Sequence, residues 1–193
     1  MINTEQNGEL LVNVPHREFL DLSLIYYIDM TSDKNKDVSI FCTRICNSQM
    51  AKWKITEQEL YQQAMTNMEI CDEGCIISIW DLFRDRYDAD YKEDTEKDET
   101  YYIMTNKHLI YGANQLLMKN KIKDFAAYME KDIYIIPSSV NECLLLPICD
   151  GTKSPQELCA DVVDVNKTLL PQDVLSNHVY KYDRNTEEIF IAA

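Results

Sequence analysis

Residues 133–147, IYIIPSSVNECLLLP, limit the fold more than any other stretch of the chain. Two apolar runs flank a polar segment of only a few residues. Parallel neighbours in a sheet need a crossover of a dozen or more residues, so these runs can pair only as an antiparallel hairpin. Pro137 fixes its own φ and is expected to end the first strand. Ser138, Ser139 and Asn141 favour a turn because their side chains bond nearby backbone. Leu144 to Leu146 then return as the second strand.

The same reading applies elsewhere. FLDLSLIYYI (19–28) is an apolar run that suits a buried strand or a helix end leading into one, and periodicity does not choose. TSDKNKD (31–37) is a turn, and VSIFC (38–42) is its returning strand. CIIS (75–78) and YYIMT (101–105) read as strands. Gly112, inside HLIYGANQLLM (108–118), suggests a bend or bulge between two strands. HVYKYDRNTEEIFIA closes the chain as a hairpin around Asp183 to Thr186.

Helices alternate with these strands. Thr56 and Glu59 form a capping box ahead of Leu60, Ala64 and Met68, with Tyr61 and Met65 beside them. Ser78 caps a helix carrying Trp80, Leu82 and Phe83. KIKDFAAYMEK places Ile122, Phe125, Ala126 and Met129 on one face. Ser154-Pro155-Gln156-Glu157 starts a helix with an N-cap serine, a first-turn proline and a returning glutamate. Its stripe is Leu158, Val162 and Val165, with Cys159 and Val163, and Pro171 blocks continuation. The expected class is α+β, a mixed, largely antiparallel sheet of about six to nine strands with about four to six helices packed on it. Residues 1–13 are expected to be a loose leading segment, and 14–193 a single α+β domain. The domain carries an acidic loop near 88–99, DADYKEDTEKDE, where seven acids face two lysines. Asp88 and Asp90 suit the start of a calcium loop, but Lys92 takes a ligand position and no glycine follows.

Charge and cysteine usage bear on partners and compartment. The formal net charge is −14. That argues against nucleic acid, whose phosphates require clustered Lys and Arg. No apolar run approaches the ~20 residues of a membrane span. MINTEQNGELL lacks the basic and apolar regions of a secretory leader. The seven cysteines are odd in number and read as thiols in a reducing compartment, so the cytoplasm is expected. Cys42 with Cys46, and Cys71 with Cys75, have spacings that zinc ligands use, and together could form a Cys₄ site. Neither pair has a glycine-rich knuckle, and an apolar setting suits a core thiol equally well. His16, His108 and His178 form no local metal pair, and no glycine-rich phosphate loop exists. No cofactor is expected.

The stretch 137–143 holds the candidate nucleophiles Ser138, Ser139 and Cys143, and the candidate acid Glu142. A catalytic serine needs an activating base and an oxyanion site. Here the serines lack the G-x-S-x-G elbow. A cysteine opening a leucine strand is a buried thiol of raised pKa. A strand–turn–strand element accounts for these residues without chemistry. The twelve tyrosines include Tyr26-Tyr27 and Tyr101-Tyr102. Alternation places one of each pair in the core, and the outward one suits an interface.

Five segments together resemble a family of uncharacterised bacterial proteins catalogued only as a domain of unknown function. They are VPHREFLDLSLIYY (14–27), NSQMAKWKITEQELYQQAMTN (47–67), YYIMTNKHLIYGA (101–113), DIYIIPSSVNECLLLP (132–147) and VNKTLLPQDVLSNHVYKYDR (165–184). The resemblance implies no activity. It maps onto Pro137, Ser138, Ser139 and Glu142. Asn141 stands where the family pattern commonly has histidine, which removes the base that a serine would need. The expectation is therefore a non-enzymatic cytoplasmic domain that binds another protein or a second copy of itself. The alternatives are a hydrolase-like enzyme using the 137–143 loop, and a zinc-stabilised module.

Overall fold

The structure is a computed structural model and describes residues 1–30, 42–71, 74–87 and 101–193. The turn expected over 31–37, residues 38–41 of the strand expected over 38–42, and the acidic run 88–99 lie outside the described residues. The chain divides into two compact units, Met1–Asp72 and Glu73–Ala193.

In the first unit, strands β1 (Ile2–Asn3), β2 (His16–Phe19) and β3 (Leu22–Ile25) form an antiparallel sheet in the order β1-β3-β2. The first 13 residues are thus built in rather than loose, because Ile2 and Asn3 pair with Ser23 and Leu22. Asn3 also shapes the turn that follows, accepting from Gln6 N at 2.8 Å on its side chain and from Asn7 Nδ2 at 2.8 Å on its carbonyl. Polar residues that looked like loop formers bond backbone here, as Asx turns do. A short helix α1 (Gly8–Leu11) follows.

The apolar run 19–28 is not one strand. The chain reverses at Leu20-Asp21 to form the β2–β3 hairpin, with Leu20 at φ 55°. A left-handed leucine is uncommon, and no glycine or asparagine marked the turn. Tyr27–Asp29 (β4) pairs antiparallel with Cys42–Arg44 (β5). Tyr26 is buried while Tyr27 is 38% exposed, the alternation expected of the pair. Two helices complete the unit, α2 (Asn47–Trp53) and α3 (Glu57–Cys71). The capping box at the start of α3 is present: Thr56 N donates to Glu59 Oε2 at 2.8 Å, and Glu59 N to Thr56 Oγ1 at 3.2 Å.

The second unit is built on six strands: β6 (Gly74–Ser78), β7 (Tyr102–Asn106), β8 (Ile133–Ser139), β9 (Glu142–Pro147), β10 (Tyr180–Asp183) and β11 (Glu188–Ile191). Their order is β11-β10-β8-β9-β7-β6, and every described pairing is antiparallel. The α+β class and the six-stranded sheet agree with the sequence reading.

Helices cover both faces. Cross-strand partners share a face, so Tyr102, Leu145, Ile135 and Tyr180 lie together. Helix α5 (Lys119–Met129) covers them, burying Ile122, Ala126 and Met129 and setting Phe125 edge-on to Tyr102 at 4.9 Å. On the opposite face, α6 (Pro155–Asn166) packs Leu158 and Val162 on Tyr134, Ile136 and Leu146. Ser154 caps it as read, accepting from Glu157 N at 3.3 Å. Val165 is 58% exposed, so the expected stripe stops one turn short. Helix α4 (Ile79–Tyr87) follows β6, and Ser78 Oγ accepts from Trp80 N at 3.1 Å. No described helix is long and apolar enough to cross a membrane.

Candidate functional site

Pro137 does not end its strand. β8 runs through it to Ser139, with a shift in register: Ile136 faces Leu144, Ser139 faces Glu142, and Pro137-Ser138 together oppose Cys143. A bulge tolerates proline because the ladder is interrupted there and no N–H is required. The turn itself is only Val140-Asn141.

This tip is held from two sides. Val140 N donates to Asp173 O at 3.3 Å, and Val140 O accepts from Ala113 N at 3.3 Å. Asn141 O accepts from the buried Thr105 hydroxyl at 2.7 Å, and Asn141 Oδ1 accepts from Tyr111 N at 3.0 Å. Ser139 Oγ accepts from Asn141 N at 3.1 Å, a bond within the turn. Ser138 and Glu142 are half-buried beside it. Cys143 is fully buried, its Sγ directed at Ala113 O at 4.0 Å, and burial pushes its thiol up to about 12. A thiol held protonated is not a nucleophile at neutral pH. The bonded tip groups, Ser139 among them, fix backbone, and Asn141 supplies no base.

The tip shapes a neighbouring loop. Residues 108–118 are not two strands. They form an irregular loop followed by a 3-10 turn, Gly112–Leu117. Gly112 serves close approach: a Cβ there would meet Thr105 Oγ1 at 2.2 Å, Asn141 O at 2.5 Å and Asn106 N at 2.8 Å. Ahead of it, Leu109 and Tyr111 have φ of 55° and 54°. Asn106 encloses this loop. Its Oδ1 accepts from His108 N at 3.0 Å and Ile110 N at 3.4 Å, and its Nδ2 donates to Ile110 O at 2.8 Å. Leu109, Ile110 and Tyr111 are 36%, 37% and 42% exposed. On the other side of the tip, the loop reaching Asp173 exposes Leu169 and Leu170.

The first unit holds a second cluster, which the sequence reading missed. Arg17 of β2 makes a two-pronged bond to Glu57 at the start of α3, Nε to Oε1 at 3.0 Å and Nη2 to Oε2 at 2.7 Å. Tyr26 OH donates to the same Oε1. Arg17 also lies 3.9 Å over the Tyr61 ring and bonds Gln58. The bonds from Arg17 hold the Glu57 carboxyl below the usual range, while burial and Glu57 raise the Tyr26 phenol. Glu57 borders an open groove of about 390 Å³ lined also by Leu11, Val12, Val14, Pro15, His16, Asn47 and Met50. Arg17 and Glu57 lie 40 positions apart along the chain, so no local pattern joins them.

The candidate zinc ligands are distributed over several elements. Cys42 lies on β5, Cys46 precedes α2 and bonds the Gln49 side chain through its N–H, and Cys75 lies on β6. Cys71 ends α3, and its side chain lies outside the described residues. The described residues gather no group of three or more metal-ligating side chains.

Residues 1–184 match a family described as "Family of unknown function (DUF5688)". No curated protein and no solved structure matches the chain.

Proposed function

The chain belongs to this family of unknown function, which passes on no activity, and from that premise we propose that it is a non-enzymatic, cytoplasmic protein-binding domain. Its contact surface is the loop around Leu109, Ile110 and Tyr111, bordered across the hairpin tip by Leu169 and Leu170. The observation that carries this reading is the conformation of that loop. Three consecutive large side chains are each more than a third exposed, two of them on left-handed backbone, and side chains of Asn106 and Asn141 bond the loop backbone there. Left-handed non-glycine residues cost free energy, and such strain gathers at functional surfaces. Exposed apolar patches mark interaction sites, and a pre-shaped loop loses little entropy on binding.

The chemistry of 137–143 supports the same reading. The Ser139 hydroxyl bonds the turn backbone and the Cys143 thiol is buried, which favours a structural role for both. The net charge of −14 opposes self-association and nucleic acid, and favours a partner that is a different protein. The test is quantitative capture from a lysate of the organism that carries the gene, with wild type and Ile110→Asp as paired baits. A protein retained by the first and lost by the second supports the reading. Equal retention by both overturns it.

A further inference from the structure

We draw no further inference here: the strongest candidate, the open groove of the first unit lined by Leu11, Val14, His16, Met50 and Glu57, is an apolar face whose Glu57 carboxylate is already taken by Arg17 and Tyr26, and nothing in the structure shows what covers it.

Discussion

The side-chain oxygen of Asn141, at the tip of the β8–β9 hairpin, accepts a hydrogen bond from the backbone N–H of Tyr111 at 3.0 Å. Tyr111 sits at φ 54°, where it stays only if its surroundings hold it. One side chain of the stretch that holds the candidate nucleophiles therefore fixes the shape of a different loop.

Replacing Asn141 by alanine removes that acceptor. The expected loss is about 1–2 kcal/mol of stability, measured by chemical denaturation. The Tyr111 amide should exchange faster in the variant. Asn141→Asp keeps an acceptor at the same place and should preserve protection of that amide. Unchanged exchange in Asn141→Ala would show that the bond does not hold the loop.

Gly112 and Gly8 form a matched pair of tests. Alanine at 112 places a Cβ 2.2 Å from Thr105 Oγ1 and 2.5 Å from Asn141 O. Both atoms are fixed by their mutual bond, so overpacking should cost about 1–3 kcal/mol or more. Gly8 is helical, and a Cβ there has nothing within 4 Å. Gly8→Ala should be neutral or stabilising by about 0.5–1 kcal/mol. A mild Gly112→Ala phenotype would contradict the close approach.

Glu57 sets an acid limit on the first unit. Its folded carboxyl is held low, chiefly by Arg17, so the ionised form is the one that the fold binds. The resulting stability is present above the ordinary carboxylate pKa and is lost as pH falls through the depressed value. Glu57→Gln should lose roughly 1–3 kcal/mol at neutral pH and flatten the acid limb of a stability–pH profile. An acid limb identical to wild type would show that the pair contributes nothing.

Cys143 should be silent to thiol reagents in the native protein. It is fully buried, with its thiol at about 12, whereas Cys42, Cys46, Cys75, Cys149 and Cys159 are partly exposed. Cys143→Ala should leave the native thiol count unchanged and lower the count in denaturant by one. A drop in the native count would mean that the 137–143 stretch presents a reactive sulfur.

Much of the fold was legible because it rests on local rules. The capping boxes at Thr56 and Ser154, the faces of α5 and α6, and the closing hairpin all follow from spacing within a few residues. Misreadings arose where tertiary contact overrode local preference. Leu20 turns a hairpin without glycine, and Pro137 passes through a bulge because its missing N–H leaves no ladder bond unmade. Gly112 looked like a strand bend but is small to admit Asn141 O and Thr105 Oγ1. The Arg17–Glu57 pair had no local signal at all. The loop surface at 109–111 was visible only as residues in a supposed strand, since its exposure depends on Asn106 and Asn141 bonding backbone.

We propose that residues 137–143 act as a scaffold for the 109–111 surface rather than as a catalytic loop. The most direct test compares four immobilised baits: wild type, Ile110→Asp, Asn141→Ala and Ser138→Ala, the last chosen because the Ser139 hydroxyl itself accepts a turn bond from Asn141 N. Each is first checked for native circular dichroism. The expected result is a partner retained by wild type and by the serine variant, and reduced about tenfold or more by the other two, as loss of an anchor at a protein interface does. Loss of that partner with the serine variant, with retention by Ile110→Asp, would contradict it.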